Sequence, residues 1–186
     1  RDQAKTINLG LFYGMGKAKL QAELGVSKDK AEELFAIYHQ RVPFVKTLMK
    51  SVSNRAQQRG QIRTLLGRLC RFHLWEPNRF GINKALPFEQ AVQEHGQGNI
   101  RRAYTYKALN KLIQGSAADM TKKSMLDLYK EGIIAHIQIH DELDLSVESP
   151  EQAKKVVEIM ENAVKLDVPN KVDYESGKNW GDIYDK

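Results

Sequence analysis

The sequence is notable first for what it lacks. One cysteine, Cys70, among 186 residues leaves no internal disulfide framework and no cysteine-based zinc site. No apolar run approaches the roughly 20 residues of a membrane-spanning helix, and no secretory leader is visible. Internal repeats and low-complexity tracts are absent as well. These absences point to a reducing, cytoplasmic setting with no membrane partner. Position 1 is arginine, and the chain enters directly into a helical pattern, so it is expected to belong to a longer or split protein. What is present is ordinary globular material, 41% hydrophobic and 28% charged. Lys and Arg outnumber Asp and Glu by 29 to 23, a moderate excess that suits a polyanionic partner without requiring one.

The pattern along the chain is helical first and mixed later. Apolar Ile7, Leu9, Leu11 and Phe12 lie in a helix expected to end near Gly14 or Gly16. A short helix over about 17–24 stops at Gly25, and Ser27 caps a helix over about 28–41. Pro43 opens another helix, which Gly60 closes. Residues 61–72 suggest a small hairpin around Gly67. Between His73 and Asn99, prolines and glycines break the pattern into loop, with a short helix near 87–95. A long helix is expected over 101–130, bent near Gly115. From Ile133 to Val147 the period becomes two. Ile137, Ile139, Leu143, Leu145 and Val147 are expected on one face of a β-hairpin that bends at Asp141–Glu142. A helix over about 151–165 and a strand near 171–175 complete a helix-rich α+β chain.

Three stretches carry chemistry. In RDQAKTINLGLFYG, Arg1, Lys5 and Leu9 fall four apart and share a helix face about 12 Å long, close to the length of a triphosphate with part of its nucleoside. An Arg fork and a Lys point charge can hold phosphate oxygens there, leaving Leu9 and Tyr13 for sugar and base. Spacing alone fits an amphipathic helix with two solvated cations at least as well. In Ile137-Gln138-Ile139-His140-Asp141-Glu142, carboxylates at a hairpin bend could hold Mg²⁺ through oxygen, although acidic turns are usually just solvated. Asn110 and Gln114 share a helix face, and amides can read the degenerate minor-groove edge of a duplex.

The order of these stretches resembles the family A DNA polymerases, the bacterial polymerase I and phage type. Arg1, Lys5 and Tyr13-Gly14 are similar to that family's motif B on the fingers helix, and Gln138-x-His140-Asp141-Glu142 to its motif C. The runs Asn110 to Asp119 and Thr64-Leu65-Leu66-Gly67-Arg68 resemble further family elements. Gly177, Asn179 and Trp180 resemble its closing segment. Residues 73–100 match no family motif and lean towards a phage source. Leu9 stands where the family usually has Phe or Tyr, and Leu112 where it often has Pro.

The resemblance implies that Arg1 and Lys5 bind the triphosphate of an incoming dNTP. It places Leu9 against base and sugar, and Tyr13 near the template base with Gly14 beside it on the DNA. Asp141 would be a ligand of two catalytic Mg²⁺ ions, supported by Glu142. Gln138 and His140 would lie against the primer strand, and Asn110 and Gln114 against the duplex. Arg68 and Arg71 are candidate phosphate contacts. Fingers would occupy residues 1–100 and the distal palm 101–186. The second metal-binding Asp belongs to a motif that precedes the fingers helix, so the remainder of the polymerase, with upstream palm and thumb, is an expected partner alongside primer–template DNA. This chain alone is expected to be inactive. A catalytically inactive nucleic-acid-binding derivative is the alternative, and an unrelated helical scaffold the remote one.

Overall fold

The computed structural model describes residues 2–79, 81, 83–179 and 181–184, with backbone only at 2–4, 6, 183 and 184. Arg1 and Trp180 therefore lie outside the described residues. The chain packs as two units, residues 1–115 and 116–186. No helix among the described residues is long and apolar enough to cross a membrane.

The first unit opens with four helices, α1 (Asp2–Phe12), α2 (Lys17–Leu24), α3 (Lys28–Arg41) and α4 (Pro43–Arg59). Their ends follow local chemistry. The Ser27 hydroxyl accepts the Lys30 N–H at 3.3 Å, satisfying one of the donors left free at the start of α3. Pro43 supplies no N–H where none is needed. Strands β1 (Gln61–Arg63) and β2 (Leu69–Arg71) pair antiparallel, with Ile62 opposite Cys70. Against them α4 and the first turns of α6 (Ala108–Lys130) bury Val52, Ala56, Ile62, Phe72, Ala108 and Leu109 as one core. Phe12 joins its edge, which fixes the end of α1.

The stretch expected to be loop is folded. Strand β3 (Trp75–Pro77) pairs antiparallel with β4 (Ile100–Arg102), and Trp75 also exchanges both backbone hydrogen bonds with Leu86 at 2.8 Å. Between them lies α5 (Phe88–His95), whose Phe88 ring sits 5.0 Å from that of Trp75. Three-residue strands are too short to display a period, and Trp75 finds its partner Arg102 far along the chain. The expected 101–130 helix is correspondingly shorter. Its first residues belong to β4 and a 3₁₀ turn at Thr105–Lys107, and α6 starts at Ala108.

Arg102 fastens this excursion. Its guanidinium lies 4.5 Å over the Trp75 ring and donates to the Phe72 carbonyl at 2.9 Å. It also occupies the space a Cβ would need at Gly60, 2.6 Å from that position, where φ is 68°. Glycine at 60 suits the left-handed backbone, and a side chain there would make the Arg102 guanidinium shift.

The second unit contains most of α6, strands β5 (Ile137–Ile139) and β6 (Glu142–Asp144), α7 (Pro150–Asn162) and a short α8 (Gly181–Tyr184). Ser149 caps α7 by accepting the Gln152 N–H at 3.2 Å, and the Gln152 side chain accepts the Glu148 N–H at 2.6 Å. Leu128, Ile133 and Val156 form the core, with Leu143, Leu145, Ile159 and Met160 packed on it.

Two expectations fail in this unit. The hairpin turns at His140–Asp141, not Asp141–Glu142, because Ile139 pairs with Glu142. A two-residue turn pairs odd positions with even ones, so alternation inverts across it. Ile137 and Ile139 therefore share a face with Asp144 and Glu142, and Gln138 lies opposite Leu143 on the other. The strand expected near 171–175 is also not formed. Residues 170–172 instead return to the end of α7, where the Glu161 carboxylate accepts the Val172 N–H at 3.2 Å and pairs with Lys171 at 3.3 Å. These bonds, the backbone N–H first, hold the Glu161 carboxyl below its ordinary pKa.

Candidate nucleic-acid interface

Helix α1 separates two roles around its circumference. Leu11 is buried and Phe12 half-buried against the core, while Lys5 and Leu9 are exposed, Leu9 at 47%. Leu9 and Lys5, four apart, form the outward stripe. An apolar side chain left half in water beside a cation is suited to a ligand with an apolar ring and an anionic tail. After Phe12 the chain turns, Tyr13 N–H donating to the Leu9 carbonyl at 3.0 Å and Gly14 adopting φ 91°. The Tyr13 ring meets Phe12 edge-on at 5.4 Å.

The Tyr13 hydroxyl accepts a hydrogen bond from the Gln114 amide at 3.2 Å. One turn earlier on α6 stands half-buried Asn110. The Arg68 guanidinium donates to the Gly115 carbonyl at 2.8 Å, from a turn braced by the Arg68 N–H on the Thr64 hydroxyl at 3.0 Å. A Cβ at Gly115 would lie 2.9 Å from the Thr64 methyl, so α6 and this turn approach closely because residue 115 has no side chain. Three segments far apart in sequence thus meet in the first unit: the end of α1, the Thr64–Arg68 turn and the start of α6. Arg71 is exposed on β2.

In the second unit the hairpin tip presents His140, Asp141 and Glu142 to solvent. His140 holds φ 53°, a left-handed conformation that costs energy in any residue but glycine. Its carbonyl accepts the Gln138 amide at 2.6 Å, which ties both residues to the turn. Asp144 has a buried carboxylate oxygen with no hydrogen-bond partner among the described residues. No three His, Cys, Asp or Glu side chains gather into a metal-binding group among the described residues.

The charge of the two units differs in sign. Residues 1–115 carry twenty Lys and Arg against eight Asp and Glu, a net +12, whereas residues 116–186 carry nine against fifteen, a net −6. From Leu34 to Trp75 there are eight cationic residues and no Asp or Glu, and from His95 to Ala118 four more and none. The whole-chain excess of +6 conceals this. A window count of acids along the chain would have found it.

A family model described as DNA polymerase family A matches residues 1–182. This chain belongs to DNA polymerase family A. Among its relatives, a DNA-directed DNA polymerase of Pseudomonas phage M6 is 33% identical over 97% of this chain. DNA polymerase I of Bacillus caldotenax is 37% identical over 98% of it. A solved structure, the POL domain of Pol1 from M. smegmatis in complex with DNA primer–template and dNTP, is similar over 90% of this chain at 29% identity and a TM-score of 0.68. The chain spans 29% of the phage relative's length, 20% of the Bacillus enzyme's and 28% of the solved polymerase chain. Family membership agrees with the resemblance read from the sequence and with the helix-rich α+β class.

Proposed function

We propose that this chain supplies the dNTP-binding helix and one metal-binding carboxylate of an enzyme that extends a primer along a DNA template. The observation that supports this most is the bond between Tyr13 and Gln114, which joins the motif B helix to the amide-bearing face of α6. Lys5 binds the triphosphate together with Arg1, four residues before it in sequence, and Leu9 takes the sugar and base. Tyr13 and Gly14 border the templating base. Asn110 and Gln114 contact the duplex, Gln138 and His140 lie against the primer strand near its end, and Arg68 and Arg71 take phosphates. Residues 1–100 act as fingers and 101–186 as the distal palm.

The donor set at the hairpin tip fits Mg²⁺. Asp141 and Glu142 are adjacent, exposed carboxylates with hard oxygen donors and no competing nitrogen or sulfur in the pair. Asp141 is the ligand, Glu142 supports it, and a second Asp comes from outside these residues. Bound magnesium supplies charge neutralisation at the attacking and leaving oxygens. Placement of triphosphate, primer end and template by the chain's own side chains accounts for much of the remaining acceleration.

The test is a chimera in which these 186 residues replace the matching part of the Pseudomonas phage M6 polymerase. Mg²⁺-dependent primer extension is expected from the chimera and none from the 186-residue chain alone. Asp141→Ala is expected to lower extension by at least about a hundredfold. A folded chimera that binds primer–template yet never extends it would favour the inactive, DNA-binding derivative. Unchanged activity in Asp141→Ala would remove the metal assignment.

A further inference from the structure

Tyr106 is 65% exposed and Tyr104 38% exposed, on the 3₁₀ turn that precedes α6 and at the residue before it. Neither ring belongs to the core of the first unit. The Lys107 ammonium stands 5.1 Å from the Tyr104 ring centre and 5.6 Å from that of Tyr106, and Lys111 stands 5.0 Å over Phe72. Neither lysine forms an ion pair among the described residues.

The turn is anchored by bonds to distant parts of the first unit. The Ser53 hydroxyl of α4 donates to the Thr105 carbonyl at 2.9 Å, and the Ala103 N–H donates to the Leu74 carbonyl at 2.8 Å. Tyr104 is held at φ 61°, a conformation that a bulky residue adopts at a cost. Helix α4, on which the turn is fastened, carries Lys46, Lys50, Arg55 and Arg59 and no carboxylate. Two exposed rings interleaved with lysines, on an anchored backbone in an acid-free stretch, have the makings of a surface for unpaired nucleotides. Bases stack on aromatic faces whatever their sequence, and cations follow the phosphates.

We propose that Tyr106, with Tyr104 and Lys107, is a stacking platform for single-stranded DNA, and that Lys111 and the cations of α4 hold its phosphates. Naming that strand as the unpaired template rests on the polymerase reading; the binding itself rests on the rings and charges.

The 186-residue chain is tested by equilibrium filter binding to a twelve-nucleotide oligothymidylate and to a twelve-base-pair duplex. Tyr106→Ala is expected to weaken oligothymidylate binding about tenfold while leaving duplex binding within about twofold. Tyr106→Phe keeps the ring and is expected to bind as the parent does. Lys107→Ala is expected to lower the salt slope for the single strand by about 0.7. Undiminished oligothymidylate binding by Tyr106→Ala overturns the proposal. So does equal weakening on both ligands, or a Phe variant as weak as the Ala one. An inactive chimera with single-strand binding intact would count against the polymerase reading alone. Extension with oligothymidylate binding indifferent to Tyr106 would count against the platform alone.

Discussion

The two units of this chain differ in the sign of their charge, +12 in one and −6 in the other. The contrast follows from what each would hold. A triphosphate and a DNA backbone are polyanions and call for a cationic surface, while divalent metals call for carboxylates. Mixed in one patch, such groups would neutralise each other as ion pairs and weaken both kinds of binding. In the first unit Lys5, Lys107, Lys111 and the cations of α4 are set along a stretch with few acids. In the second, Asp141 and Glu142 project from a turn whose nearest sequence neighbours include no Lys or Arg. Each unit thus keeps a potential of one sign at its candidate site.

This contrast can be broken by single substitutions. Within the first unit the largest effect is expected at Lys5. In the chimera, Lys5→Ala should raise KM for nucleotide about ten- to a hundredfold, the range for losing a hydrogen bond to a charged partner. The exposed Lys154→Ala in the second unit should leave it unchanged; steady-state kinetics decides, and similar KM values would remove the nucleotide site from α1. Next, Gly60→Ala places a methyl against the Arg102 guanidinium at a left-handed position and should destabilise the first unit by about 1–2 kcal/mol. Urea titration reads this, and an unchanged midpoint would show that the contact relaxes freely. Smaller is Lys111→Ala, which should reduce the salt slope for single-strand binding by about 0.7, whereas Lys154→Ala should not alter it.

The smallest effect concerns pH in the second unit. Because the folded Glu161 carboxyl is held below its ordinary value, its contribution is complete above that value and is lost as pH falls through the lower, folded one. The Val172 amide resonance should therefore move in acid, below the usual carboxylate range, and the movement should vanish in Glu161→Gln. A Val172 shift near neutrality would contradict the assignment.

Much of the first unit was legible because its helix ends are written in single residues: Gly25, Ser27, Pro43 and Gly60 each act within one turn of the chain. Lys5, Leu9, Tyr13, Asn110 and Gln114 were legible as motifs. Their meeting was not, since the Tyr13–Gln114 bond spans most of the first unit's sequence. The β3–β4 pair escaped because Pro77 and the surrounding glycines outweigh three-residue strands. The hairpin was recognised, yet its bend was placed one residue late. His140–Asp141 is not one of the glycine-containing pairs that mark two-residue hairpin turns, and that single residue decides whether Asp144 shares a face with Ile137. The strand near 171–175 was read from local composition, but a strand requires a partner, and in this chain Glu161 takes the Val172 N–H instead. The exposed Tyr106 platform had a sequence signal, aromatic and lysine residues within an acid-free run, which whole-chain charge conceals.

The pairing of Pro77 with Ile100 has an evolutionary consequence. Directly opposed residues on antiparallel strands stand about 5 Å apart, so everything between them is an insert with both ends at one doorway. A lineage could lengthen, trade or discard residues 78–99 and close the gap with a tight turn. Trp75 would lose Phe88 and its two backbone bonds to Leu86 but keep Arg102 across its face. The stretch in which the sequence offers no motif thus has both its ends at one point of the first unit.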